Sequence, residues 1–92
     1  MAKGTWKERK LEHIEYFYGK AYEQFKAEDA HDDRRVYINV YEMIIEAVKS
    51  LEDEPNNYVC VAMNDYIKHD LEILRRIGKR FGRTDFIFRE EA

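Results

Sequence analysis

The stretch Val36 to Val48 constrains this chain more than any other. It is the most apolar run present, and its spacing predicts a helix. At about 100° per residue, Tyr37, Tyr41, Ile44, Val48 and Leu51 form one stripe. Val36, Val40, Met43 and Ala47 widen it on one side, Ile38 and Ile45 on the other. Only Arg35, Asn39, Glu42, Glu46 and Lys49 are left for water. A surface helix normally carries an apolar sector somewhat over 100° wide. A helix apolar on most of its circumference must be central, with neighbours on at least two sides.

Two further helices are expected to flank it. Thr5-Trp6-Lys7-Glu8 fits the capping box, in which the Thr hydroxyl and the Glu carboxylate satisfy orphan amides. Leu11, Ile14, Tyr18, Ala21 and Phe25 then recur at helical spacing to about Glu28, with Trp6, Phe17 and Tyr22 beside them. Gly19 lies off that stripe, as a close approach or as a tolerated defect, and Tyr16 points away from it. Asp32 or Asp33 is the N-cap of the second helix, which runs to Leu51 or Glu52. Pro55 is read as a first helical residue, with Asn56 or Asn57 as the competing cap. In the third helix Val59, Met63, Tyr66, Ile73, Ile77 and Phe81 form the stripe, widened by Ile67 and Leu74. Gly78 or Gly82 supplies its stop. The tail 83–92 holds Phe86-Ile87-Phe88, expected to dock on the bundle as an extended segment or a helical turn. Short connections predict antiparallel neighbours. The expected fold is therefore all-α, one domain spanning 1–92, a three-helix antiparallel bundle with a docked C-terminal segment.

Ninety-two residues bury only about 60–65% of their unfolded surface. Self-association, as a homodimer or higher oligomer, is thus an expected supplement. No apolar run approaches the ~20 residues of a membrane span, and the charged start lacks the apolar segment of a secretory signal. The single cysteine, Cys60, excludes an internal disulfide. It reads as a small core residue in a cytoplasmic protein.

Most chemistry leaves no trace here. Dinucleotide and phosphate-loop glycine motifs, H-E-x-x-H and paired C-x-x-C are all absent. Glu28-x-x-His31 matches one element of a di-iron bundle, but such sites need two such pairs and two further carboxylates. Asp65, His69 and Glu72 share one helical face and read as a surface charge cluster. Neither a metal nor a cofactor is expected.

Asp70 falls within the third helical stripe, where an apolar residue belongs. It is expected to be buried and partnered, by Tyr37, Tyr41, Tyr18 or an Arg, because an unpaired buried carboxylate costs several kcal/mol. A pocket acid is the functional alternative.

Net charge is −3, but it is unevenly spread. Residues 11–74 carry six Lys/Arg against fifteen Asp/Glu, whereas Arg75, Arg76, Lys79, Arg80, Arg83 and Arg89 face Asp85 alone. Arginine forks suit phosphates and carboxylates, and cations with nearby aromatics can track a nucleic-acid backbone. The acidic body opposes long duplex DNA. Together these features point to a small non-enzymatic interaction protein, a regulator or inhibitor of a protein partner. The alternative is a nucleic-acid or nucleotide-binding module using the basic end of the third helix.

Overall fold

A computed structural model of the chain describes residues 4–54 and 56–81. Three helices form there and no strands: α1 (Trp6–Ala27), α2 (Asp33–Ser50) and α3 (Tyr58–Arg80). Each opens on a side-chain cap. The Thr5 hydroxyl accepts from the Glu8 amide, Asp32 from Arg34 and Asn57 from Val59. Asn57, and neither Asn56 nor Pro55, starts α3. Helix formation therefore begins beyond the proline, whose own position lies outside the described residues. Gly78 does not stop the helix either; it is a buried residue inside α3, which caps at Phe81.

α2 is the middle element. It packs on both α1 and α3, while α1 and α3 barely meet. The end-to-end contacts make both pairs antiparallel. The Lys7 ammonium donates to the Lys49 and Leu51 carbonyls, joining the start of α1 to the end of α2. At the same pole the Cys60 thiol donates to the Glu52 carbonyl at 3.2 Å, and at the other pole Arg80 pairs with Asp33. The turn between α1 and α2 reverses at Asp29, whose φ of 53° is the left-handed conformation that ends many helices.

The core is built from the inner faces of all three helices. Ile14, Tyr18, Ala21 and Phe25 of α1 meet Tyr37, Ile38, Tyr41, Ile44 and Val48 of α2, with Ile67 and Leu74 closing it from α3. The Tyr37 hydroxyl is fully enclosed and donates to the Tyr18 carbonyl at 2.9 Å. Gly19 permits the contact between α1 and α2: a Cβ there would lie 3.3 Å from the Tyr41 hydroxyl.

Two expectations need correction. The stripe of α3 is centred on Ile67 and Leu74 rather than on Tyr66, so Tyr66 and Val59 are exposed. Asp70 then falls on the stripe's margin. It is half-buried, and among the described residues no polar or charged residue is buried. The physical reason is that α3 has one close neighbour, α2, so only a narrow sector of it is covered. On α2, Ile38 is buried and Ile45 half-buried, so the apolar surplus is left to Val36 and Met43 on the opposite flank. The expected docking of the tail, with Phe86, Ile87 and Phe88, lies outside the described residues.

Candidate interaction surfaces

The basic end of α3 is less free than its sequence implies. Arg80 is engaged by Asp33, and Arg75, half-buried, holds an interaction of its own. Arg76 and Lys79 are exposed and make no ion pair among the described residues. Arg83 and Arg89 lie outside the described residues. Beside this end sits Arg34, which bridges Glu28 at 2.9 Å and Asp32 at 3.0 Å and lies 4.8 Å from the Phe81 ring centre. Its fork holds the Asp32 carboxyl down at about 2, chiefly through side-chain hydrogen bonding, and the carboxylates hold its own ionisation up. This cluster ties the three helix ends together, and the exposed setting keeps each pair weak.

Glu28 is therefore spent on Arg34, while His31 lies 3.5 Å from Asp29 across open solvent. Among the described residues no group of three His, Cys, Asp or Glu is placed to hold a metal.

The first surface with room for a partner is the outer face shared by α2 and α3. Met43 is 55% exposed and Tyr66 68% exposed, and Val36 is also open. On the helical wheel Val36, Val40, Met43 and Ala47 lie on the flank of α2 away from α1. The antiparallel packing sets that flank beside the Tyr66, Asp70 and Ile73 flank of α3, the same side on which Asp33 meets Arg80. Arg76 stands at one end of this strip. The sequence carried a signal for it, namely an apolar sector on α2 wider than two neighbours can cover. Tyr66 was hidden by its apolar spacing, which made it look like core.

The second surface is a groove of about 550 Å³ between α1 and α2, on the opposite side of α2. Its floor is the Tyr22–Tyr41 ring pair, stacked with centroids 4.3 Å apart. Tyr41 is only 6% exposed, and burial, then Glu15, pushes its hydroxyl up to about 12. That hydroxyl makes no hydrogen bond among the described residues. The Tyr22 hydroxyl donates to Glu42 at 2.7 Å and accepts from Lys26 at 3.0 Å. Sequence reasoning missed this groove. Its trace is Gly19 set four residues from both Glu15 and Glu23, with Tyr22 between.

Comparison with family models, curated proteins and solved structures finds no match for this chain. The class that the fold defines is thus a small three-helix module with a central α2. Among the described residues no helix is long and apolar enough to cross a membrane.

Proposed function

We propose that the protein is a small non-enzymatic interaction module, a regulator or inhibitor that occupies a protein partner through the outer face of α2 and α3. The observation that carries this reading is the exposure of Met43 on α2 and Tyr66 on α3, two helices that pack together. Methionine and tyrosine are favoured at the centres of interfaces, because both bury much apolar area and methionine adapts its shape. Arg76, beside the strip, selects for a partner with carboxylates there, adding association rate and orientation more than affinity. In the absence of a partner the same face pairs two copies of the chain, since contiguous exposed apolar area favours association. The nucleic-acid alternative fares worse, because Arg80 and Arg75 are already engaged, and among the described residues of the basic end that leaves Arg76 and Lys79, which grip few phosphates.

The test is affinity capture with the tagged protein and with a Met43→Glu/Tyr66→Glu variant, followed by sedimentation of both proteins over a wide concentration range. The reading expects both partner capture and concentration-dependent association to be lost in the variant, with circular dichroism unchanged. Capture that survives the double substitution removes the α2–α3 face from consideration. Oligonucleotide binding that falls with Arg76→Glu/Lys79→Glu would favour the alternative.

A further inference from the structure

α1 and α3 both lean on α2 and barely meet each other. Each is antiparallel to α2, so they run parallel, and a wedge-shaped cleft lies between them. This is a third flank of the molecule, independent of the α2–α3 face and of the groove at Tyr41. The side chains that border it follow from the flanks already assigned. On α1, Leu11, Gly19 and Tyr22 turn to the groove and Ile14, Ala21 and Phe25 to the core. Phe17, half-buried, is left on the opposite flank. On α3, Tyr66 and Ile73 share the outer flank with Met43, while Ile67 and Leu74 point to the core. Leu71, also half-buried, is therefore on the flank toward α1. At one end of the cleft the rings of Phe25 and Phe81 meet edge to face, with centroids 6.0 Å apart. Counted back from that contact at about 1.5 Å per residue, Phe17 lies about 12 Å and Leu71 about 15 Å along the cleft. The two are level with each other.

Residues 82–92 lie outside the described residues, but the chain leaves α3 at this end of the cleft and continues Gly-Arg-Thr-Asp-Phe-Ile-Phe-Arg-Glu-Glu-Ala. Its length fits the cleft. An extended chain covers about 3.3 Å per residue, so residues 82–86 reach about 16 Å and residues 82–88 about 23 Å. That range holds Phe17 and Leu71 with length left for the reversal. Its charge order fits as well. Lys10 and Lys68 stand on the same flanks as Phe17 and Leu71, at about 22 and 20 Å from the Phe25–Phe81 contact by the same measure. Glu90 and Glu91 follow the aromatic residues and come level with them. The α2–α3 face is the poorer seat. To enter it the segment must pass the Arg80–Asp33 pair, and its carboxylates would then approach Asp70. Arg34 already lies 4.8 Å from the Phe81 ring centre.

We propose that residues 82–92 fold back as an extended strap along the α1–α3 cleft, with Phe86 and Phe88 seated between Phe17 and Leu71. The spacing of the two aromatics decides the conformation. Residues two apart point to the same side of an extended chain, whereas on a helix they diverge. Phe86 and Phe88 therefore enter the cleft together only when the segment is extended. Burying two aromatic rings against half-buried apolar neighbours removes much apolar area from water. Glu90 and Glu91 meet Lys10 and Lys68 at the far end and fix the direction of the strap. The strap supplies the link between α1 and α3 that the helices themselves scarcely make, and it holds the cleft against other apolar segments.

Nuclear Overhauser spectra of the full chain test this, recorded on mixed isotope-labelled and unlabelled protein to separate contacts within one copy from contacts between copies. The expected result is contact, within one copy, of the Phe86 and Phe88 rings with the Leu71 methyl groups and the Phe17 ring. Leu71→Lys should abolish these contacts, whereas Tyr66→Lys on the outer flank of α3 should leave them as in the parent. Should Leu71→Lys not fold, Phe86→Ser/Phe88→Ser carries the comparison, since both positions lie beyond the three helices. In that variant the Leu71 methyl resonances should shift and those of Val36 and Met43 should stay. Contacts from the two rings to Val36 or Met43 overturn the proposal. So do contacts found only between copies, which make a second chain the occupant, and so does a lack of any contact between the rings and the helices.

Discussion

Three side chains, one in the core and two at its margin, have very different consequences. The Tyr37 hydroxyl is enclosed and donates to the Tyr18 carbonyl. Tyr37→Phe keeps the ring and removes that bond, so it should cost about 1 kcal/mol. The Oδ1 of Asn64 is buried on α3 without a hydrogen-bond partner. Asn64→Ala removes an acceptor that already bears its desolvation cost, and should leave stability unchanged or raised. Asp70, on the half-buried margin, should tolerate Ala with little change in the urea midpoint, against the expectation its spacing raises. Urea denaturation of the three variants ranks them, and a large loss for Asp70→Ala would return it to the core. The tyrosines also set an alkaline limit. Burial raises the ionisation of Tyr37, and that of Tyr41 is pushed to about 12, above the unfolded value of about 10. The folded state then binds its protons more tightly than the unfolded one. The stability this contributes is complete below pH about 10 and is lost as pH rises through about 12. Thermal melts from pH 8 upward should show a decline that Tyr37→Phe/Tyr41→Phe flattens.

At the scale of elements the caps are decisive. Asn57 accepts from the Val59 amide at 2.8 Å, whereas Asn56 caps nothing. Asn57→Ala should therefore cost about 1 kcal/mol and Asn56→Ala nearly nothing; equal losses in calorimetry would shift the start of α3. The contrast also explains how legible the chain is. Thr5, Asp32 and Asn57 declare three helix starts through local hydrogen bonding, and the α1 and α2 stripes declare themselves through period. Those signals depend on a few neighbouring residues, so sequence suffices. The facing of α3 does not. Tyr66 and Ile67 are adjacent and both apolar, and only packing on a single neighbour decides that Ile67 turns inward. Gly78 misleads for a related reason: as a buried helix residue it provides closeness rather than a stop. The groove at Tyr41 depends on two helices at once, and no local pattern reports it. The basic end was legible as composition, but its engagement by Asp33 depends on a partner 47 positions away, Asp33 to Arg80.

The whole molecule is a series rather than a ring. α1 leans on α2 and α2 on α3, with little direct meeting of the outer two. The groove and the Met43–Tyr66 face lie on opposite flanks of one helix. A further consequence follows for the time the chain needs to fold. Every substantial helix–helix contact here joins consecutive helices, so no distant ends must find each other before burial begins. Chains with such local contacts cross their barrier in about microseconds to milliseconds. The entropy lost in closing each hairpin is small, and α2, needed by both, is where nucleation should concentrate. Ile44, wholly enclosed at the centre of α2, should show it: Ile44→Val should slow refolding in stopped-flow measurements more than it speeds unfolding, whereas Leu74→Ala should act mainly on unfolding. The reverse pattern would place the nucleus in the α2–α3 hairpin, with α1 added last onto a template already formed.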